Sequence, residues 1–119
     1  MADSRIDFVV SFKIRNIMDL SFIEAACERR NIPLTHAENM DELMVHTNQK
    51  RNSLIICDLS SMSPEELQAI TKLAKDAQST TFGFYPHIAD DIRASAKSLG
   101  IDVAIPRSAF RAKLNSVLG

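Results

Sequence analysis

Ser53-Leu54-Ile55-Ile56-Cys57-Asp58, followed across a short loop by Ser63-Pro64-Glu65-Glu66, decides the architecture. The first segment is apolar without a break through its middle, so it does not alternate between a wet and a dry face. A strand of that kind is covered on both sides, as at the centre of a parallel sheet flanked by helices. The second segment is a helix start: Ser63 is a cap, Pro64 suits the first helical position, and Glu65 and Glu66 favour the positive end of the axis. A helix to about Ala77 follows. Strand, loop and helix together make one βα unit, with Asp58 at its carboxyl end.

Working outward, the same unit recurs. Phe8 to Ile14 reads as a first strand, and Asn16 as the cap of a helix with Ile17, Leu20, Ile23, Ala26 and Cys27 on its buried stripe. Ile32 to Ala37 is a short, more polar strand, as suits a sheet edge. Asn39-Met40-Asp41-Glu42 resembles a capping box and opens a helix carrying Leu43, Met44 and Thr47. Asn48 to Asn52 reads as a loop. Beyond the central unit, Thr80 to Tyr85 is a fourth strand ended by Pro86, and Ala89 to Leu99 a helix terminated by Gly100. Ile101 to Ile105 is a fifth strand, and Ser108 is read as the cap of a last helix with Phe110, Leu114, Val117 and Leu118 on one face. Five βα units account for residues 1–119 as one α/β domain.

Composition excludes several functions. Fourteen basic against fifteen acidic residues leave no field to steer the chain to nucleic acid or to an anionic membrane. The apolar runs are strand-length, and Met1-Ala2-Asp3-Ser4-Arg5 starts no signal sequence, so the expectation is a cytoplasmic protein. Cys27 and Cys57 lack a Cys-x-x-Cys spacing and read as small core hydrophobes. His36, His46 and His87 lie in three separate segments, which argues against a metal cluster. With three glycines and no Gly-x-Gly-x-x-Gly after the first strand, no phosphate cradle is expected. Ser60, Ser61 and Ser63 have no histidine in their loop, and a nucleophile triad is not expected of them.

Five βα units in this length, with a lone Asp at the end of the third strand, resemble the receiver (response-regulator) domain family over essentially the whole chain. The resemblance implies a five-stranded parallel sheet in the order 2-1-3-4-5, helices on both faces and a flavodoxin-like topology. It also implies a site at the carboxyl ends of the strands. A receiver needs an acceptor Asp after strand three and an acidic pair after strand one for Mg2+. A hydroxyl after strand four and a Lys after strand five complete the set.

Mapped onto this chain, Asp58 falls at the acceptor position. The acidic pair falls at Ile14-Arg15-Asn16, where no carboxylate stands; the nearest is Asp19. The hydroxyl position is Tyr85 and the lysine position Arg107. The expectation is therefore a degenerate, stand-alone pseudo-receiver, not an enzyme and without a cofactor, that signals by protein–protein contact. Arg15, Asn16, Tyr85 and Arg107 are vestigial positions in this reading. The implied contact surface is helix four, strand five and helix five, with Arg93, Lys97, Arg107, Phe110 and Arg111 toward another protein or a second copy. The alternative is a receiver phosphorylated at Asp58, which would need Mg2+.

Overall fold

The protein is described by a computed structural model covering residues 6–47, 52–86 and 90–119. Its strands are β1 (Phe8–Phe12), β2 (Leu34–Ala37), β3 (Ser53–Asp58), β4 (Thr80–Tyr85) and β5 (Val103–Pro106). The helices between and after them are α1 (Ile17–Arg29), α2 (Met40–Thr47), α3 (Pro64–Ala77), α4 (Asp90–Ser98) and α5 (Phe110–Leu118). All strand pairs are parallel, in the order β2-β1-β3-β4-β5, as the resemblance implied.

Period-two alternation divides the side chains between two cores. Val10, Phe12, Ile55, Cys57 and Tyr85 face α2, α3 and α4, meeting Leu43, Leu67, Ile70 and Ala96. Val9, Leu54, Ile56, Phe82 and Phe84 face α1 and α5, meeting Ile23, Ala26, Phe110 and Leu114. Leu54, Ile55, Ile56 and Cys57 are all fully enclosed, which is why β3 has no polar alternate. Each such side chain contributes about 1.5–3 kcal/mol of transfer free energy. Cys27 and Cys57 are buried on opposite sides of the sheet, so no disulfide can join them. Burial pushes their thiols up to about 11 and about 12, with the charge of Asp58 adding to the effect at Cys57.

Local signals explain most helix starts. Ser63 and Glu66 form a complete capping box, and Asn16 accepts from the Asp19 N–H at 3.1 Å. At α2 the box is stretched by one residue: Asn39 accepts from the Glu42 N–H, but the Glu42 carboxylate reaches back to the N–H of Glu38. Gly100 adopts φ 103, the left-handed terminator expected of it.

Several expectations need correction. β1 stops at Phe12 because Lys13 turns to φ 55 and gives its N–H to the Ala37 carbonyl. β2 begins at Leu34 and β5 spans Val103–Pro106, both shifted from the sequence reading. Ile17 is 76% exposed and Asp19 is buried, so α1 is rotated at its first turn away from the expected stripe. Met44 is likewise turned outward on α2, while Leu43 and Thr47 face in. Ser108 caps nothing: a 3-10 turn, Arg107–Ala109, runs into α5 without a side-chain cap. The Asn48 to Asn52 loop lies outside the described residues except for Asn52, as does Ala89 at the start of the fourth helix.

One close approach in the sheet is testable. A Cβ on Gly83 would lie 2.7 Å from Leu59, whose side chain covers β4 there. Gly83→Ala should cost about 1–3 kcal/mol in urea unfolding through overpacking. Leu59→Ala in the same chain should recover part of that cost, making the two changes clearly non-additive.

Candidate functional site

Parallel strands deliver their carboxyl ends, and the loops after them, to one edge of the sheet. The register pairs Phe12 with Cys57, Asp58 with Phe84, and Tyr85 with Pro106. Lys13, Asp58, Tyr85 and Arg107 therefore emerge at nearly one level, from four different strands. Sequence counting put Asp58, Tyr85 and Arg107 at the ends of β3, β4 and β5, but from β1 it pointed to Ile14–Asn16 and passed over Lys13, and the side chains there are committed in ways no spacing reveals.

Asp58 is partly buried and caps a 3-10 turn, Leu59–Ser61. Its Oδ1 accepts from the Ser60 N–H at 3.0 Å and from the Ser60 hydroxyl at 2.7 Å, while its own carbonyl accepts from the Ser61 hydroxyl. The loop serines thus order the turn around Asp58. Oδ2 accepts no hydrogen bond from any described residue.

Where the resemblance calls for a metal-binding acidic pair, the chain places an apolar residue, a cation and a cap. Ile14 is buried in the α1/α5 core, Arg15 points into solvent near Glu38 at 3.6 Å, and Asn16 spends its side-chain oxygen on α1. A hard divalent ion prefers carboxylate oxygens, and these three positions supply none, so the residues present do not fit Mg2+. Among the described residues there is no group of three His, Cys, Asp or Glu side chains that could hold a metal ion. His87 lies outside the described residues.

Tyr85 is buried in the core facing α2, α3 and α4, so its ring is part of the packing. Arg107 crosses to the other side of the sheet. Its guanidinium bonds Oδ2 of Asp19 at 2.7 Å and lies over the Phe84 ring, 5.6 Å from the centroid. Asp19 is almost wholly enclosed, while Arg107 stays 42% exposed. A buried carboxylate without a partner is costly, so this pair ties the start of α1 to the turn before α5.

Lys13 is the site residue that the sequence reading missed, because it was counted inside a longer first strand. Its Nζ lies 2.8 Å from Glu66 Oε2 on α3. The lysine holds the Glu66 carboxyl below its usual range, and the hydrogen bond with Ser63 adds to the shift. A second unforeseen chain joins buried Ser11 to Nδ1 of His36, whose Nε2 lies 3.4 Å from Glu24. With Ser11 enclosed, the chain fastens the edge strand β2 and exposes no nucleophile.

The contact surface expected from the sequence does not survive intact. Phe110 is 1% exposed and sits at the hub of Phe22, Phe82 and Phe84, with centroids 4.4–5.9 Å away. It packs the core because it shares one face of α5 with buried Leu114 and Leu118, and it is not exposed for contact. Arg111 lies over Phe22 of α1, 5.1 Å from the centroid, whereas Lys97 on α4 donates to the Asp102 carbonyl on the other side of the sheet. The side chain of Arg93 is outside the described set. At the opposite end of the sheet, a groove of about 430 Å³ is lined by residues including Gln68, Lys72, Ala74, Lys75, Ser79 and Leu99.

The chain superposes on the crystal structure of a response regulator from Thermotoga maritima with a TM-score of 0.74, covering 95% of this chain and 98% of that one. The chain has the receiver fold. Sequence identity is 14%, so the likeness speaks to the fold alone. No family model and no curated protein matches the sequence. Among the described residues no helix is long and apolar enough to cross a membrane.

Two pairs at this edge can be tested. Arg107→Met strands a buried carboxylate and should cost about 1–3 kcal/mol in urea unfolding. Asp19→Asn keeps an acceptor for Arg107 and should cost less. For Glu66 the folded value is depressed, so its contribution is present above the ordinary glutamate range and is lost as pH falls through the folded value. Lys13→Met should move the Glu66 carboxyl titration, followed by 13C NMR, back up toward that range. It should also weaken the acid dependence of stability in the same window.

Proposed function

We propose that this chain is a receiver-like signalling module that acts through contact with another protein and does not depend on phosphorylation of Asp58. The observation that carries the reading is the commitment of Arg107. In the receiver pattern the cation after strand five binds the incoming phosphoryl oxygens. Here the residue at that position is bonded to Asp19 and braced on Phe84, on the α1 side of the sheet.

Three further features support it. The positions for metal-binding acids are filled by Ile14, Arg15 and Asn16, which offer no carboxylate to hold a metal that would offset the charge on a transferring phosphoryl group. The hydroxyl position is Tyr85, packed in a core. Asp58 has one oxygen engaged with Ser60. In this reading the protein is not an enzyme, uses no cofactor and works in the cytoplasm.

A second reading keeps one specific observation in its favour. Asp58 Oδ2 accepts no bond from the described residues, and Lys13 emerges level with it as a neighbouring cation. Under that reading Asp58 accepts a phosphoryl group in a phosphorelay.

Incubation with acetyl phosphate and Mg2+, followed by intact-mass measurement, separates the two. The expected outcome is an unchanged mass for the native chain and for Asp58→Asn alike. A phosphoryl adduct present in the native chain and lost in Asp58→Asn would overturn the phosphorylation-independent reading.

A further inference from the structure

The groove of about 430 Å³ opens at the amino ends of the strands, away from Asp58. It lies between α3 and the end of α4, and the starts of β4 and β5 line it from the sheet. Its volume is that of a small-molecule site.

The lining combines three kinds of chemistry. Lys72 and Lys75 lie one turn apart on α3, and neither makes an ion pair or hydrogen bond with any described residue, Asp76 on the same helix included. Ala74 and Leu99 add apolar surface. Asp102 is the one acid of the lining, and Thr81 holds it still. Its Oδ2 accepts from the Thr81 N–H at 2.9 Å and from the Thr81 hydroxyl at 3.1 Å, and its own N–H donates to that hydroxyl at 2.8 Å. Its Oδ1 accepts from no described residue. The enclosed hydroxyl of Ser79 also has no partner among the described residues. The carbonyls that end the two helices are already taken, those of Ala74 and Lys75 by Gln78 and Ser79, and those of Ala96 and Lys97 by Leu99, Gly100 and Ile101.

From this arrangement we infer that the groove binds a nucleoside monophosphate, taken as an effector and not as a reactant. Each part of the lining selects one part of that molecule. Two unpaired ammonium groups suit a phosphate. A simple anion would be repelled by Asp102, so the ligand must also bring hydrogen-bond donors. Ribose hydroxyls supply them to Oδ1, as carboxylates do for ribose at other nucleotide sites. A turn of Ser79 about its first side-chain torsion gives its hydroxyl a partner on the ligand, which relieves the cost of an unsatisfied polar group. The flat base covers Ala74 and Leu99 and removes their surface from water. Lysine side chains hold the phosphate here, so no glycine-rich loop is required. The site does not depend on how the chain meets a partner protein or on the state of Asp58.

The test is NMR titration of the 15N-labelled chain with adenosine 5′-monophosphate. Adenosine, inorganic phosphate and 2′,3′-dideoxyadenosine 5′-monophosphate are run beside it. Saturable shifts are expected at Thr71, Lys72, Lys75, Ser79, Leu99 and Asp102 with the monophosphate. Each of the three partial probes lacks one group that the groove recognises and should bind about fivefold more weakly or worse. Lys72→Gln combined with Lys75→Gln should weaken the monophosphate about tenfold or more. Lys113→Gln, on α5, should leave it unchanged. Both groove lysines are exposed, so the double variant should fold normally, which the dispersion of the same spectra reports.

Absence of saturable shifts at the lining residues would overturn the inference, as would shifts confined to the strand ends around Asp58. Inorganic phosphate binding as tightly as the monophosphate would also overturn it, by reducing the lysines to a charge patch. Equal affinity for the dideoxy compound, undiminished binding to the double variant, or binding only to a single-stranded RNA oligomer would count against it in the same way.

Discussion

A carboxylate buried in a protein interior must find a cation or lose its charge, and Asp19 finds Arg107. Much of the surface follows from that one requirement. To bury Asp19, the first turn of α1 rotates so that Ile17 and Met18 face solvent. To reach Asp19, Arg107 leaves the strand-end edge, crosses Phe84 and anchors the 3-10 turn that leads into α5. Beyond the turn, α5 presents Phe110 to the aromatic hub on the same face as Leu114 and Leu118, and Arg111 lies over Phe22. The same bond that secures the α1/α5 side removes from the Asp58 edge the cation that the receiver pattern would station there.

The two sides of the sheet are consequently specialised in different ways. The α2/α3/α4 side is sealed by aliphatic packing around Ile55, Leu43 and Ile70, and Tyr85 belongs to it. The α1/α5 side combines an aromatic hub with a partly exposed ion pair, and its outer surface mixes apolar and cationic groups. Between them, at the carboxyl ends of the strands, Asp58 is held by its own loop serines, and Lys13 is turned toward Glu66. Among the described residues the charges here pair separately, Lys13 with Glu66 and Arg107 with Asp19.

How much of this was legible beforehand depends on the range of the interaction involved. The caps at Asn16 and Ser63, the left-handed Gly100 and the enclosed β3 are decided within a few residues or by a continuous apolar run, so they stand where the sequence puts them. Ser108 looked like an equally good cap, but α5 starts two residues later from a 3-10 turn, and a cap motif alone cannot register that delay. The α1 stripe was misjudged at Ile17 for a related reason. Periodicity assumes that apolar residues go inside, and a buried Asp19 with a distant arginine outbids Ile17 for the inner face.

Sequence alone therefore determined a parallel α/β arrangement of five units, with β3 at its centre and Asp58 at the end of that strand. These are matters of burial, local capping and residue identity, which contiguous residues settle. Tertiary structure alone decided that Arg107 serves Asp19, 88 residues away, that Lys13 serves Glu66, 53 residues away, and that Phe110 is core while Ile17 and Met18 are surface. Long side chains choose partners by where the folded chain brings opposite charges together, and no spacing along the sequence encodes that meeting.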